Sequence, residues 1–224
     1  MKQIALDIGL APGPTLSSFL SGPNQEAVAH LQLWVGNPAR SPVPTYLWGG
    51  AASGKTHLLK AVAEALRVQG ASCGWIDATV AGPPEFSPTW SAVLMDDVHL
   101  YTAAQQHTAF NWFVNAQTHQ RWVLAAGVHA PAHLALREDL RTRLGWGHVF
   151  QLQALAEAER RAVLRQQADA RGVFLGDEVM DFMLTRFSRD LGSLTALLDQ
   201  LDGYALRTKR AITVPLIKSM LEEE

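Results

Sequence analysis

The chain has 224 residues, 48% hydrophobic and 18% charged, so it can bury a sizeable core and is neither disordered, collagenous nor coiled-coil. Nineteen Lys and Arg against 21 Asp and Glu leave a formal net charge of −2. A protein held on DNA mainly by phosphate contacts would be markedly basic, so any work on DNA requires recruitment by something else. The single cysteine, Cys73, excludes an internal disulfide framework and a Cys-rich metal site, and suits a reducing compartment.

Residues 1–12 read as a loose arm. Its apolar start, Ile4-Ala5-Leu6, is broken by Asp7, Gly9, Pro12 and Pro14 too early for a targeting leader, and no later run approaches the length of a membrane span. A cytoplasmic protein with no membrane partner is expected. Asn24, after Gly22-Pro23, stands where it can cap a helix that presents Ala27, Val28 and Leu31. Short apolar runs then alternate with helical patterns: Tyr46–Trp48, Cys73–Ile76, Ala92–Met95, Trp122–Ala126 and Val149-Phe150. Several are apolar on both faces, as strands of a helix-covered parallel sheet must be. Leu58, Leu59, Val62, Ala63 and Leu66 form one helical face between the first two runs. The alternation predicts an α/β unit over residues 13–154 with a five-stranded parallel sheet between helices.

From 155 to 224 no strand-like run remains, and an all-helical unit is expected. Val179, Met180, Met183, Leu184 and Phe187 make one apolar stripe; Leu191, Leu194, Leu197, Leu198 and Leu201 make another. Thr213 can cap a last helix with Pro215 in its first turn.

The strongest signal is Gly49-Gly50-Ala51-Ala52-Ser53-Gly54-Lys55-Thr56, which satisfies G-x-x-x-x-G-K-[ST] between a strand and a helix. Glycines let successive N–H groups turn inward onto phosphate oxygens, and the helix N-terminus adds positive potential. Lys55 would reach the β- and γ-phosphates of ATP or ADP, and the Thr56 hydroxyl would ligate Mg²⁺. Asp96 and Asp97 close the run Ala92–Met95. The first would hold the Mg²⁺ shell, and the second would orient or deprotonate an attacking water.

The P-loop with its trailing His57, the acidic pair followed by Val98-His99, and Arg141-Thr142-Arg143-Leu144-Gly145-Trp146-Gly147 resemble the AAA+ ATPases, and within them the DnaA-related family. The resemblance runs from about Leu16 to the end. It implies a P-loop AAA+ core followed by a small helical lid, and it favours the family's regulatory members, which act on the ATP-bound initiator DnaA. By that resemblance His57 belongs to the nucleotide site, and Asn24 falls in the stretch lining the adenine pocket. Arg143 falls at the arginine finger that reaches a nucleotide on a neighbouring subunit. Trp146 is expected to pack at the joint between the two subdomains. Gln3, Ile4, Leu6 and Ile8 look like those members' peptide for the DNA polymerase sliding clamp, so that DNA is met only through the clamp. Self-association is left open.

Two departures bear on activity. Gly127 stands where a polar sensor is expected at the end of a strand, and Gly192 stands where the lid would carry a sensor arginine. Both suggest weak intrinsic hydrolysis. The resulting expectation is a nucleotide-binding negative regulator of replication initiation that docks on the clamp and stimulates hydrolysis by DnaA. An autonomous AAA+ ATPase, such as a helicase or transposase loader, is the alternative. A small-molecule kinase is disfavoured for want of basic lid residues beyond Arg141 and Arg143.

Overall fold

Each short apolar run of the first 154 residues becomes a strand in the computed structural model, which describes residues 14–37, 41–187 and 191–222. The strands are β1 (Thr45–Trp48), β2 (Cys73–Ile76), β3 (Ala92–Met95), β4 (Trp122–Gly127) and β5 (His148–Gln151). All pair in parallel, in the order β2-β3-β4-β1-β5. β3 and β4 are buried along their whole length, which is why they read as unbroken apolar segments. β5 lies at the sheet edge with His148, Val149 and Gln151 exposed. There the apolar pair Val149-Phe150 marks a strand without marking a buried one.

Helices α1 (Gln25–Gly36) and α2 (Lys55–Val68) cover one face; α3 (Ala103–Thr118) and α4 (Glu138–Leu144) cover the other. Trp34 of α1 stacks on Trp122 of β4 with ring centroids 3.6 Å apart, a contact worth about 0.5–1.5 kcal/mol beyond area burial. At the start of α3, Thr102 and Gln105 form a reciprocal capping box. The Gln105 amide also donates to the carbonyls of Asp77, Ala78 and Val80, fixing the loop after β2.

A half-buried polar cluster sits between α1 and the sheet. His30 Nε2 shares a 2.9 Å hydrogen bond with Thr45 Oγ1, which also accepts from Trp122 Nε1 at 3.3 Å. The His148 ring lies 4.4 Å from that of His30. Burial first, and then His148, hold the His30 pKa below its ordinary 6.5. The unfolded chain therefore binds this proton more readily, and stability falls as the pH drops through about 6.5. The melting temperature should decline between about pH 8 and about pH 5, and the slope should flatten in His30→Gln. An unchanged slope in that variant would show that the pair is not coupled to folding.

The chain divides after Ala154 into two compact units. The second comprises α5 (Glu157–Ala170), α6 (Asp177–Arg186), α7 (Leu191–Thr208) and α8 (Val214–Glu222), with no strand among its described residues. Leu164, Met180, Met183, Leu194, Leu198, Leu201, Leu216 and Ile217 form its core. Thr213 Oγ1 accepts from the Leu216 N–H, capping the last helix as its sequence suggests. Arg161 pairs with Asp181, Arg165 with Asp177 and Arg171 with Asp199, tying α5 to its neighbours. Among the described residues no helix is long and apolar enough to cross a membrane. Gln3, Ile4, Leu6 and Ile8 lie outside the described residues.

Candidate nucleotide-binding site

The P-loop leaves the carboxyl end of β1, where ligands gather in open parallel sheets. Its first amide, Gly49 N–H, donates to the carbonyl of Gly127 at the end of β4. Gly54 closes the loop at φ +90°, and a Cβ there would also stand 2.5 Å from the Phe19 ring. Glycine is the residue that meets both demands. Ala52 shares the left-handed region at φ +61°, a conformation that costs an ordinary residue about 1 kcal/mol or more.

Lys55 opens α2 and is only 6% exposed. Its ammonium donates to the carbonyls of Gly49 and Gly50, both at 2.8 Å, and to Ser53 Oγ at 3.2 Å. Burial lowers its pKa, while Asp97 and Asp96 oppose that shift. A buried cation resting on neutral oxygens at a helix N-terminus is a donor set suited to an anion.

Asp96, 3% exposed, follows β3 and hydrogen-bonds the Thr56 hydroxyl. Burial raises its pKa and that hydrogen bond works the other way. Thr56 and Asp96 are thus joined in one place and offer the hard oxygen donors that Mg²⁺ takes beside phosphate. Among the described residues no group of three His, Cys, Asp or Glu could hold a metal. That is compatible with a cation shared between protein, phosphate and water.

Asp97 turns outward at φ +48°, and its backbone N–H donates to Asp96 Oδ1 at 3.0 Å. The left-handed backbone separates the two adjacent carboxylates, one buried and one half-exposed. His99 Nδ1 lies 4.0 Å from Asp97 Oδ1, and burial holds the imidazole neutral to lower pH than usual. His99 entered the sequence reading only as part of a motif; its approach to Asp97 depends on the 3-10 turn Val98–Leu100.

Two candidate residues are engaged away from the loop's inner face. His57 Nε2 donates to the Thr15 carbonyl at 3.3 Å, with its ring 5.5 Å from that of Phe19. Asn24, 2% exposed, makes no side-chain cap; it pairs both ways with the backbone of Gln153 just after β5, at 3.0 and 2.8 Å. Its amide thereby clamps the entry to α1 onto the exit of the sheet.

At Gly127 a Cβ would collide with the Tyr46 hydroxyl, which donates to the His129 carbonyl at 2.9 Å. The place of a strand-end side chain is filled by a phenol from β1. Tyr46 carries no local sequence signal for this, because the contact joins positions 46 and 127.

Arg143 stands in the last turn of α4, half-buried, with its guanidinium 5.3 Å above the Phe110 ring and 5.8 Å from Phe113. Arg137, paired with Asp139, lies 5.0 Å above Phe110. No described carboxylate pairs with Arg143. Phe110 and Phe113 belong to α3, in the layer across the sheet from α2. Trp146 is not packed away; it is 68% exposed on the turn after α4.

Comparison with known proteins places these features in context. Residues 157–221 match the family model described as Hda, lid domain. Domain III of the Thermotoga maritima replication initiation protein DnaA aligns with a TM-score of 0.78 and 20% identity, covering 96% of this chain and 98% of that one. AMPPCP-bound DnaA from Aquifex aeolicus aligns with a TM-score of 0.68 and 20% identity, over 86% of this chain and 66% of that one. The Thermotoga maritima RuvB Holliday junction branch migration motor aligns at 0.65 with 17% identity, covering 95% and 72%. At these identities the likeness establishes the AAA+ fold.

Proposed function

We propose that this chain, whose residues 157–221 match the Hda lid model and whose fold is similar to that of DnaA domain III, holds ADP or ATP with Mg²⁺ and activates a neighbour's hydrolysis more than its own. Gly49 to Gly54 and Lys55 would bind the phosphates; Thr56 and Asp96 would hold the cation. Bound nucleotide would supply the phosphoanhydride whose charge these groups are arranged to meet. Asp97, with His99 beside it, is the candidate base for whatever slow hydrolysis the chain performs.

The observation that carries the reading is Arg143. Its guanidinium is held over Phe110 without a carboxylate partner among the described residues, on the layer opposite its own P-loop helix. An arginine so placed is available to a phosphate on another molecule, where it would stabilise charge developing on the transferring group. The neighbour we propose is ATP-bound DnaA, and the consequence is negative regulation of replication initiation. Gly127, with its space filled by Tyr46, supports a weak intrinsic ATPase.

Gln3, Ile4, Leu6 and Ile8 would dock the arm in an apolar groove of the sliding clamp. Such docking brings a chain of net charge −2 to DNA without a basic surface of its own.

The deciding experiment is ATP hydrolysis by purified DnaA, with and without this protein and DNA-loaded clamp. Stimulation that requires both supports the proposal. Hydrolysis only of the chain's own ATP, abolished by Asp97→Asn, would instead make it an autonomous motor. Changing Gln3 and Leu6 together to Ala should abolish clamp binding in a pull-down while leaving ADP binding intact. Undiminished clamp binding would remove the arm from the account.

A further inference from the structure

Backbone hydrogen bonds hold the turn that follows α4 on both sides of Trp146. The Gly145 N–H donates to the carbonyls of Arg141 and Thr142, at 3.3 and 3.2 Å, and the Trp146 N–H donates to that of Arg143 at 3.2 Å. A Cβ on Gly147 would press into the Pro44 carbonyl, which accepts the next amide, His148 N–H, at 2.9 Å. The backbone on both sides of Trp146 is therefore fixed, and yet the indole is 68% exposed. Val149, 38% exposed on the edge strand, lies three residues on. Trp146 thus stands on a hydrogen-bonded turn with its ring open to solvent. Arg141 and Arg143, on the preceding turn of α4, have no carboxylate partner among the described residues.

We propose that Trp146 is the docking anchor that seats this face on the nucleotide-bearing side of a second AAA+ ATPase loaded with a nucleoside triphosphate. The inference rests on Arg143 acting in trans and names the contact that brings it there. Tryptophan and arginine dominate the energetic centres of protein interfaces, because a desolvated indole contributes a large area at little entropic cost. A turn already rigid loses little further freedom on binding. Arg141 and Arg143, in the turn of α4 that leads to Trp146 and without a carboxylate partner among the described residues, complement an anionic partner surface, and a bound triphosphate is one.

The division of labour is testable in the DnaA hydrolysis assay by titrating this protein at fixed initiator, ATP and DNA-loaded clamp. Trp146→Ala should raise the concentration giving half-maximal stimulation by about 30-fold or more while leaving the maximum reachable, and Trp146→Phe should recover most of the loss. Arg143→Ala should do the converse, lowering the maximum by far more than it shifts the half-maximal concentration. The melting temperature of Trp146→Ala, and its rise with ADP, should match the parent protein.

An unchanged half-maximal concentration overturns the proposal. So does a Trp146→Ala protein that melts early, which makes the indole a packing residue. Loss of self-association in Trp146→Ala by sedimentation, with stimulation intact, would assign the face to a second copy of this chain. Should the parent protein fail to stimulate DnaA at all, the proposed function falls. Direct titration against ATP-loaded DnaA then still tests Trp146, since an anchor must weaken binding when removed.

Discussion

Arg143→Ala is expected to lower the maximal stimulated rate of ATP hydrolysis by DnaA by about 10³–10⁵-fold, the usual worth of an arginine supplied in trans. That is about 4–7 kcal/mol of transition-state stabilisation at 1.36 kcal/mol per decade. The side chain is already held in place: stacking over Phe110 and Phe113 restricts the guanidinium before any partner arrives. Because Arg143 pairs with no described carboxylate, its removal should leave the melting temperature within a few degrees of the parent. Arg143→Lys should also fail to restore the rate, since an ammonium lacks the planar fork that meets phosphate oxygens two at a time. Full stimulation by the alanine protein, measured at saturation, would discard the mechanism.

Lys55→Met should reduce affinity for ADP or ATP by about 10²–10⁴-fold, the effect of losing two charge-assisted hydrogen bonds at about 1.5–3 kcal/mol each. The fold should tolerate the change. Burial already works against the Lys55 charge, so the uncharged stem removes an unfavourable feature along with three hydrogen bonds. The measurement is the melting temperature with and without saturating ADP: the parent should be stabilised by ligand and the variant should not. A variant that retains the ligand-induced rise would show that Lys55 does not face the phosphates.

These two residues also show how much of the molecule its amino acids disclose. The P-loop, the strand before it and the helix after it follow from local chemistry, so Lys55 could be placed at the head of α2 by reading alone. The sheet was legible for the same reason: Ala92–Met95 and Trp122–Gly127 are buried on both faces and have no polar period to obscure them. Arg143 was legible only as a motif. Its seat on Phe110 joins positions 33 residues apart through the packing of α4 on α3, and no local pattern encodes that. Asn24 misled in a different way. A polar residue before a helix reads as a cap, but the backbone of Gln153, 129 residues away, takes both ends of its amide. Trp146 was expected from the resemblance to pack at the joint between the subdomains, and its ring is instead 68% exposed on the turn after α4.

The phenol of Tyr46 constrains what position 127 can hold. With its hydroxyl lodged beside Gly127 and bonded to the His129 carbonyl, any larger residue at 127 collides before it can touch a ligand. Placing a polar group there takes two coordinated mutations, one to vacate the space and one to fill it. Each alone is a loss, either a void at the buried end of β1 or a steric clash at the end of β4. Positions 46 and 127 are therefore locked to each other: a side chain enters the end of β4 only as the phenol leaves it, so the two can be exchanged as a pair and not singly.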